Sequence, residues 1–233
     1  MTPCDRDTPK SYPIREFGFL QFIAVAFGAI ANSGGSSDRV RYLKVICPFE
    51  GLSQVRVNTR SMDVLEFIDQ CAGKWFSQRT SHAVPPRELE AGKSDLWIDR
   101  LPTEDRATID RCQSVGLSSD RVLCAFRSRW EGTVGTSASP HKGSTMLVFV
   151  ADGDRANAGK FWQWSEHQNA APVTGEFVLG TDDALTLFAR ADEFESEERL
   201  WFVSPNLRER TSVVRHANGD RYASFCSEIR MGL

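Results

Sequence analysis

The chain has 233 residues, 41% hydrophobic and 25% charged, which is the composition of one large or two small globular domains. Its formal net charge of −3 argues against a nucleic-acid binder, which needs a concentrated basic surface. The six cysteines (Cys4, Cys47, Cys71, Cys112, Cys124 and Cys226) form no C-x-x-C pair, and no Cys/His cluster has zinc spacing. The expectation is reduced structural cysteines, a reducing compartment and no metal site.

Residues 1–61 differ from the rest. Residues 17–31 are mostly apolar, interrupted by Gln21, and end in Ala29-Ile30-Ala31; residues 33–38 are rich in Gly and Ser. A basic flank, a short apolar run and a small-residue site are the parts of a targeting segment. The run is too short for a transmembrane helix, which needs about 20 apolar residues, so no stable membrane insertion is expected. A disordered extension and translation from a start upstream of Met62 are the other two readings.

Residues 62–72 have the pattern of a short helix. Ser61 or Asp63 can cap it, Glu66 lies in the first turn, and Val64, Leu65, Phe67 and Ile68 form an apolar stripe that Gly73 ends. Residues 74–84 follow as a strand, with Trp75, Ser77, Arg79 and Ser81 on one face and Phe76, Gln78, Thr80 and His82 on the other. Leu96 to Ile98 make a second strand. Residues 102–116 read as a polar connection with Ile109 and Cys112 as core contacts. Strands then dominate: 121–132, 144–151, 159–165, 173–179 and 184–191. Turn chemistry falls at 152–154, 157–159 and 181–183. Three closing strands occupy residues 196–233, the last two joined through Asn218-Gly219. Eight to ten short strands after one helix, without β-α-β spacing, predict an antiparallel sandwich or barrel.

Charges recur on alternate positions in the closing strands. Arg208, Arg210 and Ser212 share one face; Cys226, Glu228 and Arg230 share another. Charged residues are mostly exposed, so a solvated face and a charged cavity are both open on pattern alone. Covalent chemistry is poorly served: there is no G-x-S-x-G, H-E-x-x-H or phosphate loop, and His82, His141, His167 and His216 are scattered. If the face is internal, paired arginines suit carboxylates, Glu198 and Glu228 suit N–H groups, and tryptophans give flat contact. A linear tetrapyrrole has all three complements; a fatty acid uses the arginines alone.

Gly73-Lys74-Trp75, placed after a helix and ahead of the strands, resembles the opening motif of lipocalin-like (calycin) barrels, in which an Arg from a late strand lies across the Trp ring. Arg230 is the first candidate here and Arg210 the second. The segments A-G-K-W-F-S-Q-R-T-S-H (72–82), A-G-K-S-D-L (91–96), S-E-E-R-L-W-F-V-S-P-N-L-R-E-R-T-S-V-V (196–214) and A-S-F-C-S-E-I-R-M-G (223–232) resemble the S-type phycobilin lyases. That resemblance runs from residue 62 to the C-terminus. It implies an all-β fold with an accessory helix: a ten-stranded antiparallel up-and-down calycin barrel over 62–233.

It also implies an enzyme that binds a phycobilin non-covalently, phycocyanobilin or phycoerythrobilin, as substrate rather than prosthetic group. The bilin is then joined by a thioether to a cysteine of an apo-phycobiliprotein α or β subunit. A bilin carrier without site-specific transfer is the alternative. Carried over, the functional positions are Glu198, Glu228 and His82 as catalytic groups, and Arg79, Trp130, Arg208, Arg210 and Ser212 as bilin-binding groups. Partnership with a second copy or a paralogous lyase is compatible with the resemblance, and the compartment it implies is the cyanobacterial cytoplasm or a plastid stroma. Two positions depart from the family pattern: Thr136 stands where many relatives have a second Trp, and Ala83 where many have a second His.

Overall fold

A computed structural model describes residues 62–85, 89–135, 140–153, 155–165 and 171–232. The extension at residues 1–61, Thr136 and His167 lie outside them. Helix α1 (Val64–Cys71) precedes strands β1 (Gly73–Ala83) and β2 (Leu89–Leu101). Helix α2 (Arg106–Ser114) and a 3-10 turn (Ser119–Arg121) lead to β3 (Val122–Val134), β4 (His141–Asp152), β5 (Arg155–Ser165), β6 (Val173–Leu179) and β7 (Leu185–Ala191). The chain ends in β8 (Phe194–Ser204), β9 (Leu207–His216) and β10 (Arg221–Arg230). Each strand pairs antiparallel with its sequence neighbours, and β1 pairs with β10, so the ten strands close. Closure removes both sheet edges, which is why the polar run at 89–95 is strand: it pairs with β1 along one side and, from Gly92 on, with β3 along the other.

Helix α1 plugs one end. Asp63 caps it and makes a reciprocal capping box with Glu66. Val64, Phe67, Ile68 and Cys71 join the barrel core, and the Phe67 ring meets Phe202 edge-on at 5.1 Å. Asn157, read as turn chemistry from the sequence, lies within β5 instead. Its Oδ1 accepts from the Val64 N–H at 3.0 Å and so ties the start of α1 to the wall.

The closure is finished by Trp75. It donates its Nε1–H to the Cys71 carbonyl at 2.9 Å, and the Arg230 guanidinium carbon stands 4.2 Å from its ring centroid. Arg230 also donates to the carbonyls of Ala72, Gln70 and Pro205 at 2.6, 2.5 and 3.2 Å. It therefore serves the C-terminus of α1, where a cation is favoured, as well as the indole face. Gly73 has φ +123°, and a Cβ there would lie 2.8 Å from an Arg230 nitrogen. The second arginine over Trp75 is Arg208, at 4.7 Å, rather than Arg210. It is the register that decides this: Arg208 is one inward position nearer the closed end.

Above the plug, Phe126, Phe149, Phe161 and Phe177 fill the barrel, with centroids 5.0 to 6.0 Å apart around Phe149. Full burial of each such side chain is worth about 1.5–3 kcal/mol. A second core lies outside the barrel. Cys112 packs with Ala125, Met146, Val148 and Trp164 on the outer face of β3–β5, so those strands are apolar on both faces. Thr108, with its hydroxyl on the Pro102 carbonyl, is the buried companion of Cys112 in α2, while Ile109 is half-buried.

Candidate functional site

The closed register sorts the inward side chains of β8, β9, β10 and β1 into rows. Nearest the plug lie Phe202, Arg208, Glu228 and Ser77; next come Leu200, Arg210, Cys226 and Arg79; then Glu198, Ser212, Ser224 and Ser81. The alternation in the closing strands is thus an internal charged wall. Glu198 and Glu228 are 0% exposed, Arg208 1% and Arg210 5%.

Glu228 organises the wall. Its Oε2 accepts from Arg208 Nε at 2.5 Å, and its Oε1 accepts from Arg210 Nη2 at 3.1 Å and from the Ser77 hydroxyl at 3.2 Å. Burial pushes its pKa upward, but the two guanidinium groups and their hydrogen bonds outweigh burial and hold it below the usual carboxylate value. Glu198 differs. Its one ion pair is with Arg210 at 3.5 Å, and neither of its oxygens has a hydrogen-bond partner among the described residues. Burial dominates there, Arg210 offsets only part of it, and the pKa rises to about 8. Near neutral pH the wall therefore holds one fixed carboxylate and one carboxylic acid. Two identical groups pushed apart in this way are matched to acid and anion roles.

Arg79 is the less satisfied cation. It faces inward, with Glu90 at 3.7 Å, too far for a hydrogen bond. Desolvation lowers its pKa, against the pull of Cys226 and Glu90. Ser212 shares a hydroxyl hydrogen bond of 2.8 Å with Ser224. Arg210 also donates to Cys226 Sγ at 3.4 Å. Burial pushes the Cys226 thiol up, with Arg210 acting in the opposite sense, so it is a poor thiolate.

Trp130 is inward and buried, facing Gly143 across β3–β4. A Cβ on Gly143 would fall 2.1 Å from the Trp130 ring, so the indole lies flat against the β4 backbone. His82 is the predicted residue that the fold does not bring to the site. It occupies an outward position of β1, beside Leu89 and Ala223; strand parity had already put it opposite Arg79. Ala83 is the neighbouring inward position of β1, half-buried and paired with Tyr222.

Several inward polar residues lie outside the predicted set: Ser77, Ser81 and Ser224 in the rows above, Ser196 on β8, and Ser128, Thr145, Gln163 and Ser165 on β3–β5. Of these, Ser128, Thr145 and Gln163 are buried at 1% or less, and their side-chain polar atoms have no partner among the described residues. Their signal was a polar residue at an inward position of an apolar strand. A groove of about 580 Å³ is bordered by Asp182, Ala184, Arg199, Trp201 and Thr211, and touches the wall only at Phe202. Within it, Arg199 already bonds Asp182.

A closed antiparallel barrel plugged by a helix, with buried opposed charges on one internal wall, is a calycin-like barrel. The CpeS-like protein family model matches residues 63–231, and the chain belongs to that family. The chain is 44% identical over 172 residues to the chromophore lyase CpcS/CpeS of Thermosynechococcus vestitus, covering 74% of this chain and 94% of that protein. It is 40% identical over 169 residues to chromophore lyase CpcS/CpeS 2 of a Synechococcus strain, covering 72% and 90%. Among solved structures, the S-type phycobiliprotein lyase CPES of Guillardia theta superposes with a TM-score of 0.68 at 29% identity, covering 78% of this chain and 99% of that one.

Proposed function

We propose that this chromophore lyase binds a phycobilin, phycocyanobilin or phycoerythrobilin, non-covalently inside the barrel and attaches it to a cysteine of an apo-phycobiliprotein α or β subunit. The observation that carries the reading is the internal wall itself. Arg79, Arg208 and Arg210 face inward with Glu228 held as an anion and Glu198 as an acid. A bilin brings carboxylates, ring N–H groups and a protonatable conjugated system. Arg79 and Arg210 are assigned its propionates, and Arg208 the task of fixing Glu228. Trp130 stacks on the chromophore, and Ser212 contributes a hydroxyl. His82, on the outer face, is assigned no contact with the ring system.

The reaction is an addition. The acceptor thiol's sulfur bonds to one carbon of the bilin's exocyclic double bond, the second carbon gains a proton, and the thiol's proton is released; no oxidant or leaving group is required. Glu198 supplies a proton to the bilin system, which makes the addition site more electrophilic, and its resulting carboxylate sits beside Arg210. Glu228 remains charged throughout. The chain contributes position and electrostatics, and the subunit contributes the nucleophile. Cys226 plays no covalent part: a denaturing gel of bilin-loaded protein is expected to show no pigment on the band, and pigment there would overturn this assignment.

The proposed compartment is that of phycobiliprotein assembly, the cyanobacterial cytoplasm or a plastid stroma; among the described residues, no helix is long and apolar enough to cross a membrane. A second copy or a paralogous lyase is proposed as a partner at most for transfer, since all the wall residues come from one chain. The test mixes purified protein, phycocyanobilin or phycoerythrobilin, and each apo-subunit. Fluorescent, covalently labelled subunit that forms only with this protein supports a lyase. Bilin binding without labelling of any subunit would make it a carrier.

A further inference from the structure

The wall facing the charged one is unassigned, and it is polar in a different way. In the closed order of strands, β3, β4 and β5 stand five places from β8, β9 and β10 respectively, so the two groups are on opposite sides of the barrel. Ser128 on β3 and Thr145 on β4 are register partners, and Thr145 pairs in turn with Ser165 on β5. One step towards the aromatic core, Gln163 is flanked by Leu147 and Val173. Trp130 is the next inward residue of β3 after Ser128. The far wall therefore offers three hydroxyls (Ser128, Thr145 and Ser165) and one primary amide beside the indole, and no charge.

Gln163 is 1% exposed, and both its Oε1 and its Nε2 lack a partner among the described residues; so do the Ser128 and Thr145 hydroxyls. A buried polar group without a partner costs about 1–3 kcal/mol. A primary amide between Leu and Val is therefore unfavourable unless something entering the barrel meets it. Its chemistry specifies what that is. An amide presents one N–H donor and one carbonyl acceptor side by side. Its best complement is another amide edge, with which it forms two hydrogen bonds in a ring.

We infer that Gln163, supported by Thr145 and Ser128, is a specificity-determining residue that pairs with a terminal lactam of the bound tetrapyrrole, whose adjacent C=O and N–H form such an edge. The inference rests on the bilin reading above and deepens it. The charged wall takes the propionates and the inner ring nitrogens, Trp130 takes the ring face, and the neutral wall reads one end of the molecule. Gln163 Nε2–H donates to the lactam oxygen and Oε1 accepts from the lactam N–H. This anchors one terminal ring of the ligand at the neutral wall.

The experiment is a set of absorbance titrations with phycocyanobilin and with its bis-lactim dimethyl ether, in which both terminal rings are kept but lose the N–H donor and the free carbonyl. Wild-type protein, Gln163→Leu and Gln163→Met are compared. Wild type is expected to bind the lactam about tenfold more tightly than the ether, as two neutral hydrogen bonds allow. Both variants are expected to bind the two ligands alike, with lactam affinity lowered about tenfold and ether affinity unchanged. Their thermal midpoints without ligand should equal or exceed the wild-type value, because an unpartnered polar group has been replaced by an apolar one. Wild type that does not distinguish the two ligands would overturn the inference, as would variants that lose both affinities equally. If wild type binds neither ligand, the bilin reading beneath the inference fails with it.

Discussion

Glu198 and Glu228 carry the same carboxyl group into the same barrel and hold it in opposite charge states. The difference is one of partners. Glu228 receives three hydrogen bonds, two of them from guanidinium groups, whereas Glu198 has a single ion pair at 3.5 Å. The effect on folding follows in sign. Below pH 4.5 Glu198 is protonated in both folded and unfolded chains and contributes no pH dependence. Between 4.5 and about 8 the unfolded chain has released the proton and the folded one keeps it, so stability falls as pH rises. Glu228, with its lowered pKa, contributes stability above 4.5 that is lost as pH falls below it. Denaturant titrations of the ligand-free protein from pH 5 to 8 should show the decline, and Glu198→Gln should flatten it. An unchanged slope would mean that Glu198 is ionised. Arg208→Ala leaves Glu228 buried with one guanidinium fewer and should cost about 3–5 kcal/mol; a loss under 1 kcal/mol would show that Arg208 does not fix Glu228. Alternation was enough to place Arg208, Arg210 and Ser212 on one face and Glu228 on the matching face of its neighbour. It did not say which face was inside, because charge at a strand position is ordinarily exposed. Ser128, Thr145 and Gln163 were hidden for the converse reason: α2 buries Ala125, Met146, Val148 and Trp164 on the outer face of β3–β5, so apolar residues stand on both faces of these strands and do not mark the inner one.

At the level of elements, the closed end is one assembly made by α1, the start of β1 and the end of β10. Trp75 is fully buried, Arg230 serves its ring and the last carbonyls of α1, and Gly73 leaves space for that guanidinium. Trp75→Ala should lower stability by about 3–5 kcal/mol. Gly73→Ala should also destabilise, through both the left-handed backbone and the contact with Arg230. Wild-type unfolding midpoints for both variants would refute the assembly. The Gly-x-Trp signature and the Arg230 partner were readable because each is local: a helix stop, a strand start, an inward position. The tie from Asn157 to α1 was not, since Asn-x-Gly reads as turn chemistry until β5 is seen to begin before it. The full extent of β2 was equally hidden, because its polar residues are held in the strand by β1 and β3 rather than by their own propensity.

Over the whole molecule, closure gives an interior with a helix-plugged end, a charged wall on β8–β10 and β1 that starts at that plug, and a neutral polar wall on β3–β5 on the opposite side of the strand order. The arrangement explains how a chain with a net charge of −3 can suit an anionic ligand: the bulk balance says nothing about three arginines turned inward. The central claim is that these groups hold a bilin and that Glu198 and Glu228 set its protonation. The most direct measurement is the absorbance spectrum and subunit-transfer yield of phycocyanobilin bound to wild type, Glu198→Gln and Glu228→Gln. Wild type should shift the bilin band to that of the protonated chromophore and label an apo-subunit; each variant should lose part of the shift and at least about tenfold in transfer rate, one such electrostatic contact being worth 1.4 kcal/mol or more. Variants that bind bilin with the wild-type spectrum and transfer it at the wild-type rate would contradict the account.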